Sequence, residues 1–425
     1  NTVLPLVPQI GMMYLFLSFL EDSGYMARAA FVMDRLMQAL GLPGKSFVPL
    51  IVGFGCNVPS VMGARTLDAP RERLMTIMMA PFMSCGARLA IFAVFAAAFF
   101  GQQGALAVFS LYVLGIVMAI LTGLMLKHTI MRGEASPFVM ELPVYHVPHL
   151  KSLVIQTWQR LKGFVLRAGK VIVIVSVFLS ALNSFTLSGQ AADNINDSAL
   201  ASVSRVITPV FKPIGVHEDN WQATVGLFTG AMAKEVVVGT LNTLYTAENI
   251  QEQEFDPAAF HLGHELLGAV EETWQSLKDT FSLSVLANPI EASKGDGEMA
   301  TGAMGVMSEK FGSASAAYSY LIFVLLYIPC ISVMGAIARE SSRGWMGFSI
   351  LWGLNIAYSL ATLFYQTVNF SQHPRYSLVC ILAVVLFNVI VLGLLRRARS
   401  RIDIDLLAKR KTAATCCNSP AGDCH

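Results

Sequence analysis

Apolar residues in this chain come in long unbroken runs, where a soluble protein would show alternation or a one-sided helical stripe. Runs of about 20 apolar residues suffice to cross a bilayer as helix. Stretches free of Asp, Glu, Lys and Arg occur at Asn1–Leu20, Val171–Ala192, Phe311–Ala338, Trp345–Pro374 and Tyr376–Leu395. A longer one, Leu89–Leu126, is interrupted by Gly101-Gln102-Gln103-Gly104, which reads as a turn between spans Met75–Phe100 and Ala105–Leu126. The pattern therefore predicts seven spans.

Two apolar segments do not fit as simple spans. Ser46–Ala64 has no charge but holds Pro49, Gly53, Gly55, Pro59 and Gly63. Trp221–Tyr245 is apolar except for Lys234-Glu235. Each reads as a re-entrant or broken helix, tolerated at membrane depth only where it is buried in protein or lines a wet cavity. Asp22–Leu40 and Ser198–Ile214 alternate apolar and polar faces and read as amphipathic helices.

Composition supports the same class. Of 425 residues 14% are charged, against roughly 25% in average soluble domains, and 54% are hydrophobic. This excludes a disordered chain, a disulfide scaffold and an ordinary soluble enzyme. The net charge of +2 gives no basic field for nucleic acid. The chain starts at Asn1 directly in an apolar run, and reads as a fragment whose N-terminal part has been removed.

Lys and Arg mark the cytoplasmic side. The basic Arg396–Arg401 segment is then inside, and alternation puts Arg339–Arg343, Lys127–Lys170 and Arg65–Arg73 inside as well. Ala247–Lys310, with twelve acids and three bases, falls outside, as does Asn1. Labelling of intact cells is expected to reach a Glu254→Cys probe and not a Gly133→Cys probe; the opposite result would invert the topology.

The order of parts occurs twice: span, amphipathic helix, re-entrant segment, span, span. Val52-Gly53-Phe54-Gly55-Cys56 resembles Val225–Gly230, and Thr66-Leu67 resembles Thr240-Leu241. The copies cross in opposite directions. Inverted repeats with discontinuous helices are the architecture of secondary transporters, with the site near the midplane.

Five strings carry a family resemblance: Leu20–Phe31, Gly53–Pro59, Ala80–Arg88, Ala233–Val237 and Tyr327–Cys330. Together they resemble the membrane domain of the ferrous iron transport protein B family, over essentially the whole chain. That resemblance implies an all-α polytopic membrane protein, an inverted repeat of two Gate domains with re-entrant helices plus one extra C-terminal span. The domains are then residues 1–130, first Gate repeat; 131–170, cytoplasmic linker and amphipathic helix; and 171–370, second repeat with an acidic periplasmic insertion at 246–315. Residues 376–397 form the last span and 398–425 a cytoplasmic Cys-rich tail. It implies Fe²⁺ as transported substrate in a bacterial inner membrane. GTP and Mg²⁺ enter through an N-terminal GTPase domain that precedes this chain in the family. Implied partners are that domain, the bilayer, small cytoplasmic Feo proteins and a possible second copy, with no nucleic acid.

Candidate ion ligands follow from residue chemistry. Cys56 and Asn57 stand where glycines and Pro59 interrupt a helix, and a thiolate, an amide oxygen and freed carbonyls suit Fe²⁺. Cys85 and Cys330 lie in the following spans of the two repeats, each after a proline. Glu235, Glu21 and Asp22 are carboxylates in or at the ends of apolar segments, where they are costly and candidates for function. The bland alternatives are tight helix packing for the cysteines, and snorkelling or pairing with Arg28 for Glu21 and Asp22. Cys416, Cys417, Cys424 and His425 could hold metal or sense redox state in a mobile tail. No catalytic residues are expected. Ala39–Ser46 is a near-miss phosphate loop, lacking its first glycine and a preceding strand. A nucleoside carrier and a nucleotide-regulated iron-sensing scaffold are the alternative functions.

Overall fold

The computed structural model describes residues 6–131, 148–164, 198–249 except 233 and 235, and 301–417, together with isolated positions 169, 174 and 177. Everything regular among the described residues is helical. Five helical stretches are long and apolar enough to span a membrane: Pro70–Phe99, Gly101–Thr129, Ala314–Glu340, Arg343–Val368 and Pro374–Arg397. The expected span at Val171–Ala192 lies almost wholly outside the described residues. The expected span at Asn1–Leu20 is seen as a helix over Leu6–Asp22.

The first half opens with α1 (Leu6–Asp22) and α2 (Tyr25–Leu40), joined through Gly24 in a left-handed conformation. A sharp bend of 101° then separates α2 from the helical stretch Gly44–Gly55. Within it α3 (Phe47–Gly55) stops at Cys56, whose backbone is extended at φ −153°, ψ 130°. The next helix, α4 (Asn57–Gly63), begins at once. Pro59 sits in its first turn, where a missing N–H costs nothing. This is the broken helix the sequence predicts for Ser46–Ala64.

The following spans depart from the expectation of simple crossings. α5 (Pro70–Met79) passes into a 3₁₀ turn at Ala80–Phe82, the chain is extended at Met83–Cys85, and α6 (Gly86–Phe99) resumes. After α7 (Gly104–Thr129) and α8 (Leu150–Phe164), the second half runs through α9 (Ala199–Ile207), α10 (Trp221–Met232) and α11 (Val236–Asn249). α10 and α11 are separated at Lys234. α12 (Thr301–Phe311) leads to α13 (Ala314–Leu326). A second break at Tyr327–Cys330 precedes α14 (Ile331–Glu340), as Pro329 cannot supply the N–H a continuous helix needs. α15 (Arg343–Val368) and α16 (Pro374–Cys417) complete the chain. α16 continues past residue 397 as far as Cys417.

Matching helices support the two span breaks. A Cβ on Gly115 of α7 would stand 2.9 Å from the Phe82 carbonyl, and one on Gly353 of α15 would stand 3.2 Å from the Leu326 carbonyl. At Gly115 a side chain would force the backbone to shift, and at Gly353 it would fit only tightly, so glycine lets each long helix pass close to the irregular backbone. The equivalence of these contacts extends the twofold pattern beyond the sequence echoes.

The halves interlock. At one end, Phe95 and Phe99 of α6 pack on Phe311 and Tyr320, with ring centroids 5.3–5.7 Å apart. At the other end, Glu340 accepts hydrogen bonds from Arg65 Nε at 2.7 Å and Arg73 Nη2 at 2.7 Å. The Glu340 side chain is 2% exposed, while those of Arg65 and Arg73 are 54% and 34% exposed. That hydrogen-bonded carboxylate holds the Arg65 guanidinium above its already high ordinary pKa, against the opposing effect of burial.

Candidate functional site

Three cysteines occupy equivalent positions at three helix interruptions. Cys56 caps α4, Cys85 caps α6 and Cys330 caps α14, each with its ψ in the extended range, between 130° and 164°. All three are partly buried and free of disulfide. A helix N-terminus favours negative charge, and the thiolate is the metal-binding form of cysteine.

Packing brings the breaks into one layer. α4 packs against α14, and their C-terminal ends are pinned together by Arg65 and Glu340. Arg65 follows Cys56 by nine residues and Glu340 follows Cys330 by ten, so the two caps lie at matching depth on neighbouring helices. Packed helix axes stand about 8–10 Å apart. Cys85 joins the layer through Asn57. As placed, Asn57 Nδ2 donates to Met83 O at 3.3 Å. With oxygen and nitrogen exchanged, the amide donates to Gly53 O at 2.9 Å and Ala80 O at 3.2 Å. The exchanged orientation makes one bond more and is the better assignment. Either way Asn57 straps the first break to the chain just before Cys85.

Two carbonyls at the break before Cys85, and one inside α3, already have side-chain donors. Ser60 Oγ donates to Pro49 O at 2.6 Å, and Arg88 Nη1 donates to Pro81 O at 3.0 Å and Met83 O at 2.9 Å. Pro81 O and Met83 O are therefore not loose acceptors, because an unpaired buried carbonyl costs too much to leave open.

Aromatic rings wall the layer. Tyr112 lies within electrostatic range of Cys85 and Arg88 and stacks on Phe54 with ring centroids 6.3 Å apart. Tyr14 of α1 lies near Cys56. Tyr327 lies near both Cys330 and Arg88, and the buried Lys234 Nζ stands 5.0 Å from its ring centroid.

The other candidates fall elsewhere. Glu21 is exposed and pairs with Arg160 of α8 at 2.8 Å, instead of Arg28, which donates to Gly24 O at 3.2 Å. Glu21 and Asp22 close α1 two helical turns beyond Tyr14. Glu235 lies outside the described residues, next to Lys234 in the gap between α10 and α11. Cys416 and Cys417 are the last residues of α16; Cys424 and His425 lie outside the described residues. Among the described residues, no three His, Cys, Asp or Glu side chains converge as a metal cluster.

At the near-miss phosphate loop, the Asp34 carboxylate accepts the Gly44 N–H at 2.8 Å, and Lys45 pairs with Asp68. An internal anion therefore takes the donor a phosphate would need, and a helix precedes the loop where that motif requires a strand.

Residue-type reasoning missed Arg88 and Tyr327 as members of the layer, and Arg65, Arg73 and Glu340 as its base. Arg88 left one signal: it is the charge that interrupts an otherwise apolar span. The partners of Arg65 and Arg73 are over 260 positions away and left none.

Comparison with known proteins follows the same lines. The Gate family model, described as nucleoside recognition, matches residues 3–99 and 165–343. A model described as the ferrous iron transport protein B C terminus matches residues 108–160. A Salmonella typhimurium protein named Fe(2+) transporter FeoB is 90% identical over the whole chain, and an Escherichia coli K12 protein of the same name is 88% identical. The chain spans 55% of the length of each of these relatives. No solved structure matches. The chain belongs to the Gate family, as a multi-pass membrane protein that resembles ferrous iron transport protein B from end to end.

Proposed function

We propose that this chain is the Fe²⁺-translocating membrane part of a bacterial GTPase-coupled ferrous iron importer. The observation that carries the reading is the set of three cysteines capping three helix interruptions in one layer between the two halves. Fe²⁺ accepts sulfur, nitrogen and oxygen ligands, and a path must bind its ion weakly enough to release it. Cys56, Cys85 and Cys330 supply the soft ligands. Glu235 supplies the hard anion, Asn57 holds the strap, and Glu21 and Asp22 stand at the cytoplasmic mouth. The Arg65–Glu340–Arg73 end is cytoplasmic and the aromatic end periplasmic. Residues 1–130 and 171–370 act as the two moving repeats, with 131–170 between them, 376–397 as the last span and the Cys-rich tail inside. GTP and Mg²⁺ act through a segment N-terminal to this chain, small cytoplasmic Feo proteins dock on the same side, and copies associate in the inner membrane. The chain itself has no enzymatic role.

The test is Fe²⁺ uptake by proteoliposomes holding the full-length protein. Uptake above that of empty vesicles is the expected result. Transport of a labelled nucleoside without Fe²⁺ would overturn the reading, as would absence of any flux with GTP supplied.

A further inference from the structure

We propose that the Arg65–Glu340–Arg73 cluster is a latch that closes the cytoplasmic end of the seam between the two halves, a role that rests on the transport reading above. Glu340 ends α14 of the second half, and its carboxylate accepts Arg65 Nε and Arg73 Nη2 of the first half, each at 2.7 Å. Arg73 Nη2 also donates to the Glu340 carbonyl at 3.0 Å and so satisfies an acceptor at the C-terminus of α14. α4 and α14 cannot part at this end until those bonds break.

The latch stands at a telling depth. α4 and α14 each begin at a cysteine cap and lead to the cluster. Arg65 follows Cys56 by nine residues and Glu340 follows Cys330 by ten. That is about 13–15 Å of helix, and half the hydrocarbon core of a bilayer is also about 15 Å. With the arginines at the interface, the two caps stand near the midplane and the cluster lies between them and the cytoplasm.

The two ends of the seam differ in what opening them costs. The other end is closed by Phe95, Phe311 and Tyr320, all fully buried, and parting them would carry large apolar surfaces into water. Parting the latch exchanges charged hydrogen bonds for hydration. Both arginines already reach solvent, and Glu340 would gain the water it lacks while closed. Ion pairs that water can replace contribute little net stability. The cluster is therefore geometrically specific enough to register the halves and energetically weak enough to release them, so this is the end that opens first.

The experiment reads access to the seam. In the full-length protein every cysteine other than Cys330 is replaced by serine, and inside-out membrane vesicles are treated with a membrane-impermeant methanethiosulfonate. The rate of Cys330 modification is compared for Glu340, Glu340→Gln and Glu340→Asp. Glutamine keeps the length of the side chain and removes the charge that holds both guanidiniums; aspartate keeps the charge. The rate is expected to rise about fivefold in Glu340→Gln and clearly less in Glu340→Asp. An unchanged rate in Glu340→Gln overturns the latch. So does an equal rise in both variants, which would show a packing defect alone. Arg65→Gln tests the same bonds from the exposed side, and a rise is expected there too. No rise in Arg65→Gln overturns the proposal even if Glu340→Gln does not reach the membrane. Labelling does not depend on the solute carried, so a raised rate together with absent Fe²⁺ uptake would overturn the transport reading and leave the latch in place.

Discussion

Fe²⁺ uptake by the full-length protein is expected to fall at least about tenfold when Cys56 and Cys330 are both replaced by serine, at unchanged protein levels. These sulfurs cap α4 and α14, which are registered by the Arg65–Glu340 pair, so the double change removes two soft ligands from one layer. Serine keeps the volume and a polar atom, so packing is little disturbed while affinity for a borderline metal is lost. Loss of outer-shell partners alone typically costs 10–100-fold in metal affinity or activity, and direct ligands cost no less. Each single change should have a smaller effect. Cys380→Ser is the control: Cys380 lies on α16, the span with none of its apolar window buried. Radiolabelled uptake in cells lacking the native transporter measures this. An unaltered rate in the double variant would show that ions do not pass between α4 and α14.

The second large effect concerns stability. Removing both arginines with Arg65→Ala and Arg73→Ala leaves the Glu340 carboxylate, 2% exposed, without compensation. Breaking a buried pair from the side of its exposed partners costs about 3–5 kcal/mol. Glu340→Gln should cost much less. It removes the buried charge, and the two arginines, 54% and 34% exposed, return to water. Exposed ion pairs contribute only about 0–1 kcal/mol. Thermal unfolding in detergent is expected to show a large drop in midpoint for the double arginine variant and a small one for Glu340→Gln. Equal losses, or a larger loss for Glu340→Gln, would show that the cluster does not hold the two halves together through that carboxylate.

Much of this architecture is legible in the sequence, for a physical reason. A bilayer imposes long apolar runs and forbids irregular backbone except inside protein, so spans and the glycine- and proline-rich interruption at Cys56 stand out from composition alone. The turn at Gly101–Gln103 and the doubled order of parts follow from the same constraint. The four short strings that contain Cys56, Cys85, Lys234 and Cys330 mark the interruptions, and three of the four predicted cysteine and asparagine ligands fall directly on them.

What only the tertiary structure decided is which groups face one another. Pro81 and Pro329 in apolar runs signal strain, but a run with one proline can kink or break; close passage of α7 at Gly115 and α15 at Gly353 leaves room for a full break. The Pro81 and Met83 carbonyls before Cys85 are claimed by Arg88, because burial makes an unpaired acceptor costly and the nearest donor takes it. Glu21 looks intramembrane from its neighbours in sequence, yet α8 offers it Arg160 from 139 positions away. Patterns in a sequence record what each segment needs from its solvent; the choice of partner across 275 residues, as between Arg65 and Glu340, is made by packing, where local propensity has no influence.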